Sequence, residues 1–263
     1  MWLNNALYGW YPYVALTVFL LGSLLRFDYS QYTWRSGSSQ LLRRRQLLWG
    51  SNLFHIGILV IFVGHFIGLL TPVAVFDALG ISHTFKQLLA MIVGGGAGIA
   101  CWIGIALLAH RRLFDARIRV TSSFGDIAIL LLLWVQLTLG LATIHSSAQH
   151  LDGHEMVKFM NWAQGIVTLH PGSAALIADV DPIFKCHLFL GMTIFLVFPF
   201  TRLVHVWSVP VWYFGRTGYQ VVRTTRPLAR RSNDTASAAA VAAISVVRRP
   251  PGSALPQPSL GDD

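Results

Sequence analysis

The sequence predicts an all-α membrane protein of five transmembrane helices, with its N-terminus outside (periplasmic) and its C-terminus in the cytoplasm. Three observations carry that expectation. Hydrophobic residues make up 54% of the 263 and charged residues only 12%, against roughly 25% charged in soluble domains. So few charges cannot cover the apolar bulk with a solvated surface, and the mean hydropathy of +0.56 agrees. Five apolar runs reach the roughly 20 residues needed to cross about 30 Å of hydrocarbon, and the basic residues between them fall overwhelmingly on one side.

The runs cover about 5–25, 50–70, 87–109, 125–145 and 184–206. No Lys or Arg precedes the first and no small-residue cleavage site follows it, so it reads as a retained span and not a signal peptide. The third contains Gly94-Gly95-Gly96-Ala97-Gly98. That run is embedded in apolar sequence and lacks a following Lys-Ser or Lys-Thr, so it reads as helix packing and not as a phosphate loop. In the long connection 146–183, Met156, Phe159, Met160, Ala163, Ile166 and Val167 recur at helical spacing, which predicts a helix lying in the membrane interface. Pro199 in the fifth span removes a backbone donor and predicts a bend.

Orientation follows from the basic residues. Arg26, Arg35, Arg43, Arg44, Arg45, Arg111, Arg112, Arg117, Arg119, Arg202 and seven tail arginines share one side, for 17 in all. Lys86, Lys158 and Lys185 lie on the other. A split of this size places the arginine side in the cytoplasm. The net charge of +9 comes from these short clusters between apolar runs, the pattern of membrane-protein loops and not of a nucleic-acid-binding face. Two units are expected: a membrane domain over 1–220 and a basic, Ala/Pro-rich cytoplasmic tail over 221–263. The tail's longest apolar stretch, about 235–247, is too short to span, and its composition predicts disorder, with arginines near anionic lipid. The cysteines Cys101 and Cys186 are too few for a disulfide scaffold, a four-cysteine zinc site or a protein-held iron–sulfur cluster, and both read as small buried thiols.

Ten histidines are present. His83, His110, His145, His150, His154 and His170 fall in outer loops or at span ends, where structural roles suffice. Four others sit at membrane depth, where ionisable groups are rare and functional by default. His55 and His65 lie in the second span, His187 and His205 in the fifth. Because the spans run in opposite directions, His65 approaches His187 near the outer face and His55 approaches His205 near the inner face. Two imidazole pairs at two depths suit two b-type haems, each iron taking one imidazole from each helix and keeping no open position for oxygen. The rises do not match. Ten residues separate the second-span pair and 18 the fifth-span pair, about 15 Å against about 27 Å of helix, so tilting or the bend at Pro199 must bring both pairs level.

Gly57, Gly64 and Gly68 form a stripe on the second span, and Gly191 follows His187 by one turn. Bare backbone of this kind suits a flat macrocycle or, equally, close helix packing, since Gly64 and Gly68 make a GxxxG pair. Lys86 stands at the outer start of the third span, where a cation opposes the helix dipole. Two readings are open: a hydrogen-bond donor to a quinone oxygen, or the commoner lysine that snorkels to the interface.

At these residues the sequence resembles the gamma subunit of respiratory nitrate reductase, the membrane cytochrome b of that complex. The likeness runs from about 11 to 219. It includes Phe27-Asp28-Tyr29, Gln31 to Arg35, Ser51 to Gly57, Val63 to Phe66, Leu70-Thr71-Pro72, Arg111 to Phe114 and His187 through Pro210. The resemblance implies a multi-pass protein of the bacterial cytoplasmic (inner) membrane with two haem b. His65 and His187 would ligate the iron of the periplasmic-side haem, and His55 and His205 that of the cytoplasmic-side haem. It further implies quinol oxidation (ubiquinol or menaquinol) beside Lys86, with Gly64 a neighbour of that site. Electrons would pass inward to an iron–sulfur (beta) subunit and a molybdenum (alpha) subunit that reduces nitrate. Moving each charge inward works against about 2.3 kcal/mol per 100 mV of membrane potential, so turnover would contribute to the proton-motive force. The segments 26–48 and 110–121 would dock the iron–sulfur partner. Two alternatives are a cytochrome b subunit of a related quinone-linked reductase of a sulfur compound or heterodisulfide, and a non-redox transporter with a histidine pathway.

Overall fold

The computed structural model describes residues 1–30 and 42–208, whose regular structure is all helical with no strand among them. The expected tail, the docking segment's residues 31–41 and the end of the fifth-span likeness lie outside the described residues. Five helices are long and apolar enough to cross a membrane: α1 (Trp2–Tyr29), α2 (Arg44–Leu70), α3 (His83–Phe114), α4 (Phe124–Gln149) and the fifth, Pro182–Phe200, whose regular part Pro182–Val197 we call α6. Between the last two lies α5 (His154–Val167).

Small residues set the closest helix contact. A Cβ on Gly57 would lie 2.7 Å from the Ala97 carbonyl oxygen and 2.7 Å from Cys101 Cβ, and one on Gly104 would lie 2.8 Å from the Gly50 carbonyl oxygen. Without a hydrophobic drive in lipid, such backbone approach is what lets dispersion hold helices together. The glycine run in α3 is packing as expected: Gly98 meets Leu141 and Gly95 meets Ile144, both on α4. The neighbours then run in series, α2 on α3, α3 on α4, α4 on α6, and α6 on α1. α2, which carries His55 and His65, and α6, which carries His187, have no extensive backbone contact among the described residues; His205 lies in the 3-10 segment that follows.

At the end opposite the arginines, α5 closes the bundle. Trp162, Ala163 and Ile166 are buried in a cluster with Tyr8, Ala174, Ile177 and Val180. Pro12 offers no N–H to the carbonyl of Tyr8 four residues back, and the Trp162 indole N–H donates to it at 2.9 Å. The Gln164 amide donates to the carbonyls of Leu69 and Thr71 at 3.1 and 3.0 Å, satisfying oxygens that the end of α2 leaves without helical partners. Asp181 caps α6, and the Ile183 N–H followed by the Ser146 hydroxyl hold its carboxyl below the usual carboxylate range.

The fifth span departs from the expected bend. Its α-helix stops at Val197, a 3-10 turn covers Phe198–Phe200, Thr201 is extended, and a second 3-10 segment runs Arg202–Ser208. In an unbroken helix Phe198 and Trp207 would be about 13.5 Å apart along the axis. Their ring centres are 6.3 Å apart, and Phe19 of α1 touches both. The chain therefore folds back on itself, which absorbs the excess rise between His187 and His205. The Arg26 guanidinium fixes the break by donating to the carbonyls of Pro199 at 2.6 Å and Thr201 at 2.8 Å. Gly22 leaves the room, since a Cβ there would lie 2.8 Å from the Pro199 ring.

Gly57→Ala should lower thermal stability in detergent by about 1–3 kcal/mol through overpacking. Gly96→Ala, where an added Cβ meets nothing within 4 Å, should be neutral or stabilising by up to about 1 kcal/mol. Equal melting temperatures for the two variants would contradict this α2–α3 interface.

Candidate functional site

The structure brings the four membrane-depth histidines together in the two expected pairs. The ring centres of His65 and His187 are 6.3 Å apart, and those of His55 and His205 are 6.4 Å apart. These are not hydrogen-bonding distances. An imidazole nitrogen holds a metal at about 2.0–2.1 Å, and the ring centre lies roughly 1.1 Å behind it. Two imidazoles on opposite sides of one metal would therefore place their centres about 6.3 Å apart. Both pairs have the spacing of a shared metal.

Hydrogen bonding sets the tautomers. Nδ1 of His55 meets the Ser51 carbonyl at 2.7 Å, Nδ1 of His65 the Ile61 carbonyl at 2.9 Å, and Nδ1 of His205 the Arg202 carbonyl at 2.6 Å. A carbonyl only accepts, so the proton sits on Nδ1 and the Nε2 lone pair is left for a metal. Among the described residues no group of three or more His, Cys, Asp and Glu is arranged for a metal ion. Two imidazoles per site would suit a group that brings most of its own donors, as a porphyrin does.

The segment bearing His205 is tied to its neighbours by charge. Asp126, at the start of α4, lies 3.5 Å from Arg202 and 3.7 Å from Arg112 of α3. Sequence reading assigned these arginines to a loop count and missed this role, because only the fold brings positions 112, 126 and 202 together. Gln136 and Gly140 of α4 were missed for the same reason. The Gln136 amide donates to the His187 carbonyl at 3.0 Å, and a Cβ on Gly140 would lie 2.9 Å from the His187 ring.

Lys86 does not snorkel. It is only 8% exposed, its ammonium lies 3.7 Å from the Met160 sulfur of α5 and 4.2 Å from the centre of the Phe76 ring. No carboxylate lies within 4 Å of it in the ion pairs of the described residues. Gly57 serves helix packing, whereas Gly64 and Gly68 have no atom within 4 Å of an added Cβ, so a GxxxG contact is not made among the described residues. Gly64 lines an apolar groove of about 400 Å³ with Leu59, Val60, Val63 and Val93, and Lys86 is not among its lining residues. Of the histidines given structural roles, His83 lies 3.8 Å from Asp77, and His110, His145 and His150 bond Gln46, Gln149 and the Ser146 carbonyl. Cys101 is buried as expected, but Cys186 is exposed among the described residues.

Residues 4–225 match the family described as nitrate reductase gamma subunit. The chain belongs to that family. It is 54% identical over 221 residues to respiratory nitrate reductase 1 gamma chain of Escherichia coli (strain K12), covering 84% of this chain and 97% of the relative. It is 53% identical over 225 residues to respiratory nitrate reductase 2 gamma chain of the same organism, covering 86% and 99%. Against nitrate reductase gamma chain of Bacillus subtilis (strain 168) the identity is 40% over 220 residues, covering 84% and 98%. This nitrate reductase gamma subunit is a multi-pass inner-membrane protein and one chain of an oxidoreductase complex, and the gamma designation implies alpha and beta partners.

A buried ammonium among a thioether and an aromatic ring is desolvated with little return. Lys86→Met should therefore leave the melting temperature unchanged or raise it by about 2–4 °C. A fall of several degrees would show that the ammonium holds the fold together.

Proposed function

We propose that this gamma subunit is the membrane-anchoring cytochrome b of a respiratory nitrate reductase, oxidising quinol at its outer side. The observation that carries the reading is the pair of imidazole spacings, 6.3 and 6.4 Å, between α2 and the two parts of the fifth span. Nε2 of His65 and His187 would hold one haem b, and Nε2 of His55 and His205 a second. When bound, each haem would supply a one-electron couple suited to electron transfer.

The chain's own residues do the rest. Carbonyls of α2 and of the folded-back 3-10 segment orient three of the imidazoles. α5 caps the His65/His187 end and shields it from water. The Lys86 ammonium, buried at that end beside α5, donates to a quinol oxygen, and protons leave on the outer side. The bare surface at Gly64 and Gly68 leaves room for a flat ring system. The arginine end faces the cytoplasm, where the iron–sulfur beta and molybdenum alpha subunits receive the electrons and reduce nitrate. Identity of 54% with a respiratory nitrate reductase gamma chain favours nitrate over a sulfur compound or heterodisulfide as the terminal acceptor.

His65→Ala or His187→Ala should each abolish one b-type optical signal and quinol oxidation, leaving the other signal in place. Persistence of both signals would overturn the pairing. The Lys86→Met protein should retain both signals while quinol turnover falls at least tenfold.

A further inference from the structure

We propose that Ser51 is a positioning residue for His55, its hydroxyl oxygen sharing the imidazole's Nδ1–H with the Ser51 carbonyl and so tuning the iron that His55 holds. This rests on the reading that His55 and His205 share a haem iron. Nδ1 of His55 lies 2.7 Å from the Ser51 carbonyl oxygen and 3.2 Å from the Ser51 hydroxyl oxygen. With Nε2 on a metal, a neutral imidazole carries its proton on Nδ1. That proton then faces two oxygens of one residue, a three-centre bond.

The direction of this hydroxyl sets it apart from others in the bundle. Thr138, Thr168 and Thr193 each turn theirs back onto the carbonyl four residues earlier, at 2.9, 2.8 and 2.9 Å, a common resort of a hydroxyl on a helix. The Ser51 hydroxyl instead meets the ring four residues ahead. No other of the four histidines has such a contact among the described residues. Four residues before His65 stands Ile61, whose carbonyl meets Nδ1 at 2.9 Å with no side-chain oxygen to join it. Ile183 stands four before His187. Thr201 stands four before His205, but its hydroxyl donates to the Phe198 carbonyl at 3.0 Å and accepts from the Leu203 N–H at 3.2 Å. The Ser51 oxygen also resists rotation of the His55 ring, whose plane stands 68° from that of His205.

An acceptor on Nδ1–H makes the imidazole a stronger donor to iron and favours the ferric state. In the purified complex, Ser51→Ala should therefore raise the midpoint potential of the His55/His205 haem. At the wild-type midpoint its ferrous-to-ferric ratio should grow roughly twofold or more, the scale of one modest hydrogen bond. The low-spin ferric g-values of the same haem should shift with it, while the His65/His187 haem, an internal control, keeps its own. Ser51→Thr, which retains a hydroxyl at this place, should hold both readouts near wild type. Unchanged potential and g-values in a fully loaded Ser51→Ala complex overturn the proposal, as does an equal shift in both haems. Should Ser51→Ala fail to retain the haem, an equal loss in Ser51→Thr overturns it instead. A His55→Ala complex that keeps both b-type signals defeats the underlying haem reading and is distinct from either result.

Discussion

Under the proposed haem ligation, imidazoles from the second and fifth spans have to stand a fixed distance apart, once at each end. Metal–nitrogen bonds tolerate tenths of an ångström, whereas helices in lipid slide and tilt readily, so the scaffold has to define that distance. It does so with no extensive backbone contact between α2 and α6 among the described residues. α2 is locked to α3 by glycines that admit backbone to backbone, α3 to α4 by further glycines under Leu141 and Ile144, and α4 to α6 through Gln136. The separation of α2 and α6 is thus set indirectly, by the thickness of the helices between them. Across one end α5 ties α1, α2 and the start of α6 together through Trp162 and Gln164.

The second demand is register. The helical rise between His187 and His205 exceeds that between His55 and His65 by about 12 Å, too much for a tilt to absorb. Breaking the fifth span after Val197 and folding it back resolves the mismatch. A broken helix exposes carbonyls, and in a membrane each must find a donor. Arg26 supplies two of those bonds from α1, and Asp126 anchors the returning segment through Arg202. Arginines that count toward orientation therefore also have specific structural partners.

The five spans, the helical loop and both histidine pairs were legible in the sequence, because they rest on run length, periodicity and residue chemistry. Pro199 signalled an irregularity but not its size, since a proline only removes one donor and clashes with one carbonyl. Whether the chain then bends or breaks depends on Gly22 and Arg26, more than 170 residues away. Lys86 was ambiguous for a similar reason. Its position at a helix start is compatible with snorkelling, and only the placement of Met160 and Phe76 shows the ammonium turned inward. Gln136 and Gly140 carried no local signal, because a glutamine and a glycine in an apolar helix acquire meaning only from what faces them. Cys186 was read as buried from its apolar neighbours, yet that same apolarity is what a lipid- or partner-facing surface requires.

Counting haem on the purified wild-type protein, together with the ferric electron paramagnetic resonance spectrum, tests the central claim most directly. The account predicts two b-type haems per chain, both low-spin with two imidazole ligands. One haem per chain, or a high-spin ferric signal from an iron with an open axial position, would contradict it.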